Sequence, residues 1–268
     1  MFKKILLTTI LILTACSSVK DEPLPITSTS EKAVEFYKAA FTYWEQGEGL
    51  EARNNFYSAL RVDPNFVLAN LYVNEPDPQQ RRKYRQTAVD NKNNASDAER
   101  IQVEMWEAQR DGKSSKRLDL AKELAEKYNK SSLAHVWLGN VYTQQYMFDD
   151  AINSYKTALK INPDQYNAWR ELAKHHVVVG YNPMLPKERQ DKKLVVKYTE
   201  EMIRVRPKAP NAYQLRANIE RQYSNFEEAK PLYQKMVDVV NETGSSAKST
   251  ALLISGHNLL FNGEFDEG

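Results

Sequence analysis

The sequence predicts an all-α solenoid of antiparallel helix hairpins. One 34-residue pattern of small and large residues recurs along the chain, apolar positions follow a 3.6-residue period, and only nine glycines occur in 268 residues. Hydrophobic residues make up 41% of the chain, enough for a continuous core.

Residues 1–15 stand apart from that array. Lys3 and Lys4 form a positive start, Ile5 to Leu13 is an almost unbroken apolar run, and the run ends in small residues. It is too short to span a bilayer and reads as a signal peptide. Leu13-Thr14-Ala15-Cys16 resembles the lipobox of bacterial lipoproteins. The resemblance implies cleavage before Cys16 and a diacylglycerol and further acyl chain such as palmitate on the new terminus. Cys16 is the only cysteine, so no intrachain disulfide framework exists. Several acyl chains would anchor the protein stably, whereas one is marginal. Removing Lys3 and Lys4 takes the balance from 37 basic and 35 acidic residues to 35 of each. Nothing global then points to nucleic acid. Ser17 is not aspartate, which by resemblance to the sorting rules of enteric lipoproteins implies the outer membrane. Lys20-Asp21-Glu22 resembles the short acidic export signal of Bacteroidota lipoproteins and would equally suit a solvated linker, leaving open the periplasmic side or the cell surface. Rich in Ser, Thr and Pro, residues 16–30 read as a flexible tether, reaching roughly 45 to 50 Å if extended.

The array is expected over residues 31–268. Its first unit, residues 33–66, carries Ala40, Tyr43, Ala52, Phe56, Ala59 and Pro64, with Gly47 in the turn. Residues 67–131 diverge. Val67 to Asn74 begins a helix that Pro76 and Pro78 cut short, and a second helix resumes from Gln79 to Asp90. Ser96-Asp97-Ala98-Glu99 has the form of a capping box and starts the next helix, with Gly112 in its turn and Leu118, Ala121, Leu124 and Ala125 on the returning one.

Residues 132–165 are the clearest unit, with Leu138, Gly139, Tyr142, Ala151, Tyr155, Ala158 and Pro163. Gly139 and Ala151 are small where two backbones pass, Tyr142 and Tyr155 fill the space beside them, and Pro163 ends the second helix. The order and length resemble the tetratricopeptide repeat, which implies a right-handed superhelix whose first helices line a concave groove. Residues 166–209 open with Trp169, Leu172 and Ala173 and are interrupted at 182–192 by a segment with Pro183, Pro186 and five charged residues, expected to be exposed. Residues 210–242 carry Tyr213, Ala217, Ala229, Tyr233 and Met236. Residues 249–268 begin a further unit without its second helix, which suggests the amino-terminal part of a longer protein or a partner over this end.

No phosphate-cradling glycine loop, nucleophile elbow or H-E-x-x-H occurs, so neither an enzyme nor a metal or other cofactor is expected beyond the lipid on Cys16. His175 and His176 are adjacent on a helix and point about 100° apart. Glu171 and His175 read as an i,i+4 surface pair. Trp44, Trp106, Trp137 and Trp169 read as packing residues. The family resemblance places the groove at Tyr37, Phe41 and Trp44; at Val136, Asn140, Thr143 and Gln144; at Arg170 and Lys174; and at Gln214, Asn218 and Arg221. Amides and cations alternate there, suiting a peptide backbone and acidic side chains. Of the family's carboxylate clamp only Asn140 is matched, and Val136 stands where its lysine would be. The expected function is a lipid-anchored, non-catalytic scaffold that binds a partner peptide or helix in the groove. A surface glycan-binding or nutrient-binding lipoprotein is the alternative.

Overall fold

A computed structural model of the chain describes residues 20–177, 185–264 and 266. Among them are thirteen α-helices and no strand. Six hairpins follow one another: α1 (Glu31–Gln46) with α2 (Gly49–Val62), α3 (Val67–Tyr72) with α4 (Pro78–Asn91), α5 (Asp97–Arg110) with α6 (Ser114–Lys127), α7 (Ser132–Gln144) with α8 (Phe148–Ile161), α9 (Tyr166–His176) with α10 (Lys192–Val205), and α11 (Pro210–Gln222) with α12 (Phe226–Thr243). A last helix, α13 (Lys248–Phe261), packs on α12.

Small-against-large packing makes each hairpin. A Cβ added at Gly139 would lie 2.5 Å from a ring carbon of Tyr155, so only glycine lets α7 approach α8 this closely. The Tyr155 hydroxyl then reaches across to Asn140 Oδ1 at 2.9 Å, and Tyr233 reaches Asn218 Oδ1 at 2.7 Å in the equivalent place. The turns repeat as well. After α1, Gly47 takes φ 88°, its N–H donates to the Trp44 carbonyl, and the Glu48 N–H donates to that of Tyr43. This pair of bonds satisfies carbonyls that a helix end leaves open. The same pair recurs at Gly112, Tyr146, Ser224 and Gly263, although Tyr146 and Ser224 are not glycine and still adopt φ 60°.

In the divergent stretch α3 is only six residues long, ending before the two prolines, and the capping box at Ser96 and Glu99 forms in both directions. In the last unit Leu252, Leu253, Leu260 and Phe261 leave an apolar face of α13 exposed.

The expected flexible tether needs correction from Asp21 onward. Residues 21–29 form a strap along the edge where the first helices of successive hairpins begin. The Asp21 carboxylate accepts from the Ser132 N–H and hydroxyl at the start of α7, at 2.8 and 2.7 Å, and from Asn162 beyond α8 at 2.8 Å. Leu24 is buried against α5, α6 and α7. The Thr27 N–H donates to Glu99 at 3.1 Å, and Ser28 and Thr29 donate to Asp63 after α2 at 2.7 and 2.9 Å. Side chains at or just beyond helix ends, with the free Ser132 N–H, supply these partners, which is why a polar segment can dock there. Residues 1–19, with the signal peptide and Cys16, lie outside the described residues.

The superhelix also returns on itself. The carboxyl end of α1 has no basic residue in its last turn, and its open carbonyls and negative dipole end are met from afar. The Glu45 carbonyl accepts from Arg170 Nη1 at 3.0 Å and Asn211 Nδ2 at 2.7 Å, while the Glu45 carboxylate pairs with Arg206 at 2.5 Å. Farther along, the Ser246 N–H donates to Glu51 at 2.7 Å. First and last hairpins therefore touch, and the concave surface becomes the wall of a closed interior.

The insertion is not wholly an exposed excursion. Residues 178–184 lie outside the described residues. Leu185 is buried, its N–H donates to the His175 carbonyl at 3.2 Å, and Asp191 caps α10; Lys187, Glu188 and Arg189 are exposed.

Candidate binding cleft

The closed interior holds two adjoining chambers. The first, about 430 Å³, lies between the end of α1 and helices α2 to α7; the second, about 310 Å³, lies between α1, α7 and α9. Trp44, Arg117, Trp137 and Gln144 line both. A third space of about 460 Å³ adjoins Trp137 and Phe41 and is bounded by Pro23, Leu24 and Ile26 of the strap. The strap thus forms one rim of the interior.

Aromatic rings build the walls. Tyr72 stacks on Trp137 with centroids 5.5 Å apart and an interplanar angle of 13°, and the edge of Phe41 meets Tyr72 at 5.3 Å. The Tyr72 hydroxyl donates to Gln102 at 2.8 Å. Such rings bring a large apolar surface with few rotatable bonds. The packing reading of the tryptophans holds for Trp169, which tilts against Tyr198 and donates to the Pro163 carbonyl. Trp106 and Trp137 also pack against the core while lining the cleft, and the reading is corrected for Trp44, which is 46% exposed there.

Cations divide into two kinds. Arg170 and Lys174 both lie 2.9 Å from the buried Glu171 carboxylate. Burial pushes the Glu171 pKa up, but these two cations outweigh it and hold the group below its usual range. Arg85 and Arg117 line the first chamber, and among the described residues neither has a carboxylate within ion-pair distance. Arg85 donates to the Asn70 and Val73 carbonyls, capping the short α3, and burial lowers its pKa to about 10. Arg117 donates to Gln144, its Nε is buried without an acceptor, and burial lowers its pKa too.

Of the residues expected in the groove, the second chamber gathers Phe41, Trp44, Val136, Asn140, Thr143, Gln144, Arg170 and Lys174. Tyr37 is buried among Phe41, Phe56 and Phe66 and belongs chiefly to the core. Gln214, Asn218 and Arg221 line neither chamber. Asn218 serves its own hairpin through Tyr233, and Arg221 lies over that ring, 5.9 Å from its centroid. Asn140 gives its Oδ1 to Tyr155, leaving only its amide N–H groups for a ligand. Glu171 and His175 are not a surface pair. Both are buried, and His175 Nδ1 donates to the Glu171 carbonyl at 2.7 Å while its Nε2 lies 3.3 Å from the Thr143 hydroxyl. The family template does not reach Tyr72, Arg85, Trp106 or Arg117, all in the divergent stretch. Arg85 and Arg117 come from second helices, which that template assigns to the outer side.

With this geometry in place, comparison with known proteins becomes informative. Residues 134–177, covering most of α7 and all of α8 and α9, match the family described as TPR repeat. Within this chain, that segment is similar to a tetratricopeptide repeat. No curated protein matches its sequence. Among solved structures, the APC/C hetero-tetramer Cut9-Hcn1 superposes with a TM-score of 0.59 at 14% identity, over 85% of this chain and 43% of that one. That likeness extends the repeat fold over most of the array. A tetratricopeptide repeat protein from Parabacteroides merdae aligns at 14% identity over 88% of this chain and 75% of that one, with a TM-score of 0.46. A MamA chain from Desulfovibrio magneticus RS-1 aligns at 19% identity over 64% and 88%, with a TM-score of 0.47.

Proposed function

We propose that this protein is a non-catalytic tetratricopeptide-repeat scaffold that holds an extended segment of a partner protein in the two-chambered cleft. The observation that carries the proposal is the cleft itself: a Trp- and Tyr-walled interior with amide and cationic groups between the rings, the combination that grips a peptide backbone and its side chains. Closure through Glu45 preorganises the walls, which lowers the ordering cost of binding.

The same proposal places the protein on the outer membrane through a lipidated Cys16. With Asp21 docked at the start of α7, five peptide steps separate anchor and body, about 17 Å at full extension. The strap edge of the solenoid then sits close to the bilayer, and the partner enters from the opposite edge beside Gln144. A second reading, glycan binding, is favoured by the exposed face of Trp44 at the chamber mouth.

Photo-crosslinking in the native cell separates the two. A reactive residue at Gln144 or Lys174 is expected to capture one dominant protein that a reactive residue at the outward-facing Lys156 does not. Identical scattered products from all three positions would count against a protein-binding cleft. Labelled polysaccharide instead of protein would favour the second reading.

A further inference from the structure

We propose that the ring opens and closes at Glu45, and that this opening is the side entrance through which an internal stretch of a partner chain reaches the cleft. The inference rests on the peptide-binding reading for what passes through the entrance. The movement itself follows from the seam, and what holds the seam is polar. The Glu45 carbonyl accepts from Arg170 at 3.0 Å and from Asn211 at 2.7 Å, and its carboxylate meets Arg206 and Asn167 at 2.5 Å each. The Thr42 carbonyl accepts from Arg206 at 3.5 Å, and Glu51 accepts from the Ser246 N–H at 2.7 Å. Among the described residues no buried apolar cluster joins α1 or α2 to α9 or any later helix. The clusters run from each hairpin to its neighbours along the array. Parting the seam therefore wets donors and acceptors and uncovers little apolar surface, a small cost beside that of parting two hairpins within the array.

Each side keeps its shape when parted. Arg170 retains two bonds to Glu171, the Arg206 guanidinium lies over the Tyr166 ring at 4.7 Å from its centroid, and Asn211 accepts from the Tyr166 hydroxyl at 2.5 Å. On the other side, the turn after α1 is closed by its own bonds at Gly47 and Glu48. Both faces of the seam are thus preformed, and parting them delivers Glu45 to water rather than leaving a buried charge alone. Repeat arrays bend by small rotations summed over many interfaces, so no single hinge is required. The position of the seam gives the movement its use. Glu45, Asn167 and Arg170 wall the second chamber, and Glu45 and Arg206 border the third space, so parting them opens both sideways. A chain end can thread in at the edge beside Gln144, whereas a segment flanked by folded domains needs a side opening.

The test is the distance between spin labels on Asn54→Cys in α2 and Lys235→Cys in α12, both exposed positions, in the full-length chain carrying Cys16→Ser so that no third thiol is labelled. A second, longer distance is expected beside the closed one. It should gain population when salt is raised from about 0.1 to 1 M, which shortens the screening length from about 10 to about 3 Å. Glu45→Lys sets a cation against Arg170 and Arg206 while suiting the carboxyl end of α1, and is expected to make the longer distance the main one. Adding Arg206→Glu to Glu45→Lys is expected to restore the shorter distance. The salt series needs no charge variant and stands even if Glu45→Lys fails to fold. One unchanged distance at both salts and in Glu45→Lys would overturn the entrance and leave the peptide-binding reading standing. A ring that opens while Gln144 and Lys174 crosslink no dominant protein would uphold the movement and overturn the reading it serves.

Discussion

At the scale of single residues, Gly139 is the contact that shapes the central hairpin. The Tyr155 ring cannot retreat from a new methyl group, because its hydroxyl is held by Asn140 and lies 3.1 Å from Thr143. Gly139→Ala is therefore expected to destabilise the chain by about 1 to 3 kcal/mol, measured by denaturant unfolding; an unchanged midpoint would contradict the packing. Burial holds the pKa of His175 and of His176 below the ordinary imidazole value, so both are neutral in the folded chain. The unfolded chain takes up those protons as the pH falls through about 6.5, so stability is full above that value and declines below it. The decline ends once the pH passes the lower folded-state values. For Glu220, burial raises the pKa, but bonds from Lys192, Asn225 and Arg216 outweigh it and bring the value to about 2. A second loss should therefore begin as the pH falls through the ordinary carboxylate range and continue towards 2. Melting temperature against pH should show both stages, and His175→Gln should shrink the first while leaving the second.

Among the elements, the recurring hairpin was legible and the strap was not. The alternation of Ala40, Ala52 and Ala59 with Tyr43 and Phe56, and of Gly139, Ala151 and Ala158 with Tyr142 and Tyr155, is local, and local packing repeats in sequence. The strap has no such period. Asp21 meets Ser132 and Asn162, Thr27 meets Glu99 and Ser28 meets Asp63, at separations of 111, 141, 72 and 35 residues, and nothing in a Ser-, Thr- and Pro-rich run announces those partners. The same difference explains the cleft. Phe41, Trp44 and Lys174 follow from the repeat register, whereas Arg117 and Tyr72 sit on α6 and α3, where the register breaks. The turns carry a prediction of their own. Tyr146 occupies the left-handed position that Gly47 and Gly112 fill elsewhere, and it is 82% exposed, so its side chain contributes little there. Tyr146→Gly is expected to stabilise the protein by about 1 kcal/mol in equilibrium unfolding, and a loss of stability would show that the exposed ring does more than the turn suggests.

For the whole molecule, the central claim is that a repeat array has been closed into an interior with a rim. Glu45 and Glu51 join the first hairpin to residues near the far end of the chain, and the strap joins three hairpins along one edge. An open superhelix with a loose tether would present a shallow groove and, under the proposed lipidation of Cys16, hold the body farther from the membrane. The closed form has walled chambers and a short connection. Hydrogen–deuterium exchange on the purified chain tests this most directly. The backbone N–H groups of Glu22, Thr27, Thr29 and Ser246 bond to Lys130, Glu99, Asp63 and Glu51, all remote in sequence. Closure with a docked strap predicts that all four are protected well beyond unstructured amides. Exchange of these four at the rate of a free peptide, with the helices still protected, would contradict it and return the protein to an open array on a flexible tether.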